Sequence, residues 1–183
     1  HIPSIVLNNY KAGILAGSHL MSLDHKNIAC ITGPLNIALC RERLKGFKTI
    51  LSENGILLPS DFIYEGDFKF ESGIYAIKKF LSDGIKITGI WAQNDMMAIG
   101  ALKELNKNHI RVPEDISLIG MDNISSSEMV TPSLTTIIQP FQEMCQKAVQ
   151  VILNHIHKKE ITLNRIVLEP SLIIRESTRP LKR

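Results

Sequence analysis

Four side chains in this sequence have the types and the placement to hold a hydroxyl-rich ligand. Arg41 stands just after a turn at Thr32-Gly33, Phe68 follows Tyr64-Glu65-Gly66-Asp67, Asn94 follows the apolar run Gly89-Ile90-Trp91-Ala92, and Asp122 follows Met121. Each lies past a run that reads as a buried strand, and in an open α/β sheet the carboxyl ends of the strands form the edge where ligands bind. A guanidinium, a carboxamide and a carboxylate can each pair vicinal hydroxyls through two hydrogen bonds, while an aromatic ring packs on the apolar face of a sugar. Taken singly, Arg41 reads as a solvated helix residue, Phe68 as a core plug, and Asn94 as the neighbour of an ordinary helix start. Their common register makes them a candidate set.

Other chemistries find less support. The sequence has no Gly-x-Gly-x-x-Gly after a strand, no phosphate loop ending in Gly-Lys-Ser or Gly-Lys-Thr, and no Gly-x-Ser-x-Gly elbow. Asp122 has no second carboxylate or nucleophile in matching register, which argues against an enzyme. The close histidine pair His155-Ile156-His157 lies on the polar end of a helix with no Cys or Asp nearby, a solvated face and not a metal site. No cofactor and no metal are expected. Cys30, Cys40 and Cys145 are widely spaced and set in apolar patterns, so they read as reduced core residues of a cytoplasmic protein.

The elements that must position these groups follow from periodicity. The 183 residues carry 21 basic and 18 acidic side chains, with no clustered basic face of the kind that binds nucleic acid. No apolar stretch reaches the roughly 18 residues of a membrane helix, and the first residues do not form a signal peptide. Strands are expected over 2–7, 28–32, 62–65, 89–92, 116–121, 134–138, 165–168 and 172–175. Helices are expected over about 9–23, 38–54 and 71–82, from Asp95 onward through Leu105, and over about 141–157, the third burying Ile74, Ile77 and Leu81 and the fourth Ala98, Ala101, Leu102 and Leu105. Asp95 is the expected N-cap of that fourth helix, which leaves Asn94 at the end of the preceding strand. Residues 125–133 read as a polar loop. Repeated strand–helix alternation implies an α/β fold, a doubly wound parallel sheet covered by helices on both faces.

Several motifs, in order along nearly the whole chain, are more specific. Arg41-Glu42-Arg43-Leu44-Lys45-Gly46-Phe47, Val112-Pro113-Glu114-Asp115-Ile116, Pro132-Ser133-Leu134-Thr135-Thr136-Ile137 and Ile174-Arg175-Glu176-Ser177-Thr178 resemble the effector-binding region of LacI/GalR family transcriptional repressors. Ala92-Gln93-Asn94-Asp95 with Arg41-Glu42-Arg43 is most similar to ribose-operon repressors and ribose-binding proteins. The resemblance implies a periplasmic binding protein-like type I fold, and it makes Arg41, Phe68, Asn94, Asp122 and Gln139 sugar contacts from one lobe and its hinge. Arg43 would join them only for a phosphorylated effector. Asp24 stands where the family usually has Gly, Cys145 replaces a common Gly, and Asn123 stands where a second Asp is frequent; none removes a proposed contact.

The same resemblance implies a layout. Residues 9–138 and 169–183 would form a C-terminal effector-binding lobe, and residues 1–8 and 139–168 a remnant of an N-terminal lobe. A helix-turn-helix headpiece would precede His1, and operator DNA would be reached only through that headpiece. A homodimer is the expected assembly. The helix carrying Met144, Ala148, Val151 and Ile152 would then lack most of its sheet, so exposed apolar surface and self-association are expected. The expected function is sensing of a small, ribose-like sugar that allosterically controls DNA binding. The alternative is an extracytoplasmic sugar-binding protein of a transporter.

Overall fold

The computed structural model describes residues 3–157 and 165–181. Ile2, the Lys158-Lys159 pair and the terminal Lys182-Arg183 fall outside them. Five parallel strands form most of the main sheet: β2 (Ile28–Thr32), β3 (Ile63–Glu65), β4 (Gly89–Ala92), β5 (Ser117–Met121) and β6 (Thr135–Ile138). Together with β8 (Ser171–Ile173), antiparallel to β6, they run in the order β3-β2-β4-β5-β6-β8. β1 (Ser4–Leu7) and β7 (Arg165–Leu168) form a separate parallel pair, and the chain crosses between the two sheets at Asn8, Gln139 and Glu169.

The doubly wound expectation holds, and alternation along the strands explains it. Trp91 of β4 faces α1 (Asn9–Ser22) and α2 (Ala38–Glu53), whereas its neighbours Ile90 and Ala92 face α3 (Phe70–Ser82) and α4 (Asp95–Lys107). A strand buried on both sides needs apolar residues at every position, and β2, β4 and β5 are buried throughout. Both faces are built the same way. Gly46 of α2 lies against the Tyr10 carbonyl of α1, and Gly100 of α4 against the Phe70 carbonyl of α3, so that no Cβ fits at either crossing.

Four expectations need correction. Leu81 is exposed and Phe80 takes its place in the core, because Phe80 follows Ala76 and Ile77 on the inward stripe of α3. Residues 125–133 include a short helix, α5 (Ser126–Met129), rather than loop alone. β8 runs against the other strands of its sheet. Cys30 and Cys40 are buried, but Cys145 is exposed on α6 (Phe141–Ile156). No residue of α6 is buried: of the expected apolar face Ile152 is exposed while Met144, Ala148 and Val151 are half-buried, and Phe141, Val149, Leu153 and Ile156, outside that face, are exposed as well. Among the described residues no helix is long and apolar enough to cross a membrane.

Because a backbone atom cannot rotate away as a side chain can, filling either helix crossing must push two helices apart. Gly46→Ala and Gly100→Ala are each expected to lower the unfolding free energy by about 1–3 kcal/mol, read from the midpoint in urea. Gly55→Ala, where a Cβ meets nothing but φ is +73°, serves as the comparison for a purely conformational cost.

Candidate ligand-binding site

The carboxyl edge of the main sheet is organised by three consecutive residues at the end of β4, each tied to a different neighbour. Gln93 has no solvent exposure; its Oε1 accepts from the Gly33 amide at 3.1 Å and its Nε2 donates to the Cys40 carbonyl at 3.2 Å. Asn94 Oδ1 accepts from the Met97 amide at 2.9 Å, and its Nδ2 donates to the Phe68 carbonyl at 2.7 Å. Asp95 accepts from the Thr136 hydroxyl at 2.6 Å and from the Ile124 amide at 2.9 Å. Asn94, not Asp95, is therefore the N-cap of α4. Its extended backbone (φ −155°, ψ 164°) aims the carboxamide at the first helical turn, while Asp95 is already helical and points toward β5 and β6.

This arrangement fixes what Asn94 can contribute. Its side-chain oxygen and one amide hydrogen are engaged, and the residue is 8% exposed, so it chiefly positions Phe68. Phe68 adopts a left-handed backbone (φ +68°), and its half-buried ring lies against Gly33, where a Cβ would collide with it. The Asn94–Phe68 pair thus forms one joined half of the predicted site.

Asp122 and Gln139 form the other half. Gln139 Nε2 donates to Asp122 Oδ1 at 2.6 Å, across the start of the connection from β6 to α6. Both residues are half-buried and line a groove of about 710 Å³ with Asn123, Pro140 and Phe141. Burial raises the Asp122 carboxyl above its ordinary pKa, and the Gln139 hydrogen bond and the Arg43 charge act against that rise. Asp122 and Asn123 both have positive φ (112° and 56°), a strained pair for residues with side chains. The turn is held from below by Arg175, whose Nη2 donates to Asn123 Oδ1 at 2.7 Å and whose Nη1 donates to the Leu134 carbonyl at 2.8 Å.

Arg41 stands apart from both halves. It is exposed, donates to the Leu35 carbonyl at 2.7 Å and lines a groove on the outer side of α2. The cation that acts on Asp122 is Arg43, which is 5% exposed and donates to Asn9 Oδ1 and to the Gln93 carbonyl, both at 2.9 Å. The sequence held the signal for this. Arg43, Phe47 and Leu51 recur at four-residue intervals on the inward stripe of α2, whereas Arg41 is two residues, more than half a turn, away from it. No local pattern in the sequence marks Thr136 or Gln93, whose buried polar atoms serve the turns and not a ligand directly.

Residues 18–178 match the family model of the periplasmic binding protein-like domain. Over 181 residues, 99% of the chain, the sequence is 38% identical to the HTH-type transcriptional repressor PurR of Aliivibrio salmonicida, and the match covers 54% of that protein. The chain spans about half the length of the curated relatives it matches. The fold is similar to that of the dimeric Lac repressor with an 11-residue C-terminal deletion, with a TM-score of 0.92 and 32% identity over 99% of this chain and 65% of that one. It is also similar to a LacI family transcriptional regulator from Enterococcus faecium solved with bound ribose, with a TM-score of 0.87 and 33% identity over 98% and 66% of the two chains.

Asp95 carries a pH signature that tests the role assigned to it. Burial pushes its carboxyl up to about 6, the Thr136 hydroxyl and the Ile124 and Asn123 amides pull it down, and the neighbouring Asp122 pushes it up. The folded protein therefore binds this proton where the unfolded chain, with the ordinary value of 3.8, has released it, and this group's contribution to stability falls as pH rises between those values. Burial holds His19 and His25 below the usual imidazole range, which gives the opposite slope, so the comparison must be between variants. The melting temperature of the wild type minus that of Asp95→Asn is expected to shift in favour of the wild type as pH is lowered from 7 to 5. A pH-independent difference would show that the carboxyl titrates normally.

Proposed function

The chain belongs to the periplasmic binding protein-like domain family, in the branch of LacI/GalR-type transcriptional regulators, and on that basis we propose that it is the effector-sensing part of a repressor that answers a small sugar of the ribose type. Phe68, Asn94, Asp122 and Gln139 form the ligand site on the main sheet and its hinge, with Arg43 as the cation behind Asp122. Arg41, of the residues expected from sequence, stands outside it. Residues 9–138 and 169–183 act as one lobe, and 1–8 and 139–168 belong to the other. The ribose-bound relative supports the effector class, and the relatives' description as transcription regulators favours a repressor over a transporter's extracytoplasmic carrier. In this reading the protein works in the cytoplasm as a homodimer, reaches operator DNA through a helix-turn-helix headpiece, and catalyses no reaction.

The observation that carries this reading is the Asp122–Gln139 hydrogen bond. It links a strand end on the rigid main sheet to the connection that crosses to the second sheet. A ligand whose vicinal hydroxyls bridge the carboxylate and the carboxamide holds that connection at one angle, and only such a difference in affinity between two arrangements can shift their populations. Asn8 and Asn9 lie at the parallel crossing. Asn8 caps α1 by accepting from the Lys11 amide at 3.0 Å and donates to Glu169 Oε1 at 3.0 Å, so two of the crossings between the sheets are tied to each other there.

Calorimetric titration with free and phosphorylated pentoses and hexoses tests the reading. Saturable heat with ribose or a close relative is expected, weakened at least tenfold in Asp122→Ala and unchanged in Arg41→Ala. Silence across the panel would remove the sugar assignment. Binding insensitive to Asp122→Ala would remove the site.

A further inference from the structure

The outer side of α2 carries a second groove, remote in character from the strand-edge site. Arg41, Lys45 and Lys48 follow one another at four- and three-residue steps, so one wall of the helix bears three cations. Opposite them the chain leaving α2 brings Ile56 and Leu58 to an apolar floor shared with Leu44, around a space of about 580 Å³. Leu57, at its mouth, is 83% exposed. Among the described residues none of the three cations makes an ion pair, and the lining contains no carboxylate. The Arg41 guanidinium is anchored to the Leu35 carbonyl at 2.7 Å, which fixes one end of the charged wall.

These features select one kind of occupant. Lysine and arginine stems extend an apolar floor while their heads stay in water, so the wall is apolar below and cationic above. The volume is that of a small-molecule site. We propose that this groove binds an amphiphilic anion, a medium-length aliphatic chain ending in a carboxylate, with the chain on Leu44, Ile56, Leu57 and Leu58 and the carboxylate against Arg41 and the lysines. Charge complementarity carries the choice: a neutral or cationic amphiphile gains the same floor and meets three like or unmatched charges. The occupant rests on the helix whose inward face holds Arg43 at the strand-edge site.

The test must separate this groove from α6, whose exposed apolar residues offer a surface with no sign preference of this kind. The protein, labelled with 15N, is titrated with decanoate below its micelle threshold and followed by amide chemical shifts. Decyltrimethylammonium and acetate supply the chain without the anion and the anion without the chain. The expected result is saturable decanoate shifts centred on residues 44–58. They weaken at least tenfold in Lys45→Glu/Lys48→Glu and in Leu57→Asp, both surface changes whose folding is checked by circular dichroism. No saturable shift is expected there with either control. Shifts centred on 141–156, an equal response to the cationic amphiphile, insensitivity to the charge reversal, or no saturable response at all would each overturn the proposal.

Discussion

A polar side chain that cannot reach water must find its partners inside the protein, and at the end of β4 three in succession do so. Gln93 reaches the turn after β2, Asn94 the loop after β3, and Asp95 both the turn after β5 and strand β6. They can reach in all these directions because β4 is a central strand of the sheet, with β2 on one side and β5 on the other. Leaving one such buried group without its partner costs about 1–3 kcal/mol, so the tripeptide locks the spacing of four strand ends. The rest of the site is built on that lock.

The lock also explains how a strained turn survives where a ligand would bind. Asp122 and Asn123 hold left-handed backbones that cost on the order of 1–3 kcal/mol each. Asp95 grips the next amide from one side, and Arg175 grips Asn123 from the other. The strand-edge half of the site is thereby rigid, while its other member, Gln139, belongs to a connection between sheets. A fixed carboxylate facing a carboxamide on a hinge is a geometry in which a small hydroxylated ligand can bias one arrangement over another, as the proposed sensor requires.

Much of this was legible in the residues. Unbroken apolar runs marked β2, β4 and β5, and three-to-four-residue spacing marked α1, α2 and α4, because burial on two faces or one stripe leaves a direct trace in sequence. Sequence and structure part where one or two residues of helical phase decide which side chain faces inward. Asp95 and Asn94 are both good caps, and only the extended backbone at Asn94 decides between them. Arg41 and Arg43 flank the same motif, and the inward stripe of α2 assigns them to opposite sides. Leu81 and Phe80 compete for one core position in the same way. Cys145 sits in an apolar pattern that a helix in a full core would bury, but α6 has few neighbours among the described residues. The Asp95–Thr136 and Arg175–Asn123 bonds join residues 41 and 52 positions apart, and no local pattern announces a pairing at that range.

The central claim, that a ligand acts by bridging the locked turn and the hinge, is tested most directly by amide hydrogen exchange in the presence and absence of ribose. The account predicts slowed exchange at 122–124 and across 139–143 apart from Pro140, which has no amide hydrogen, with the Gln93 amide, held by the Ile31 carbonyl at 2.9 Å, slow in both states. Ribose binding that leaves 122–124 and 139–143 unchanged, or protects residues elsewhere instead, would contradict it.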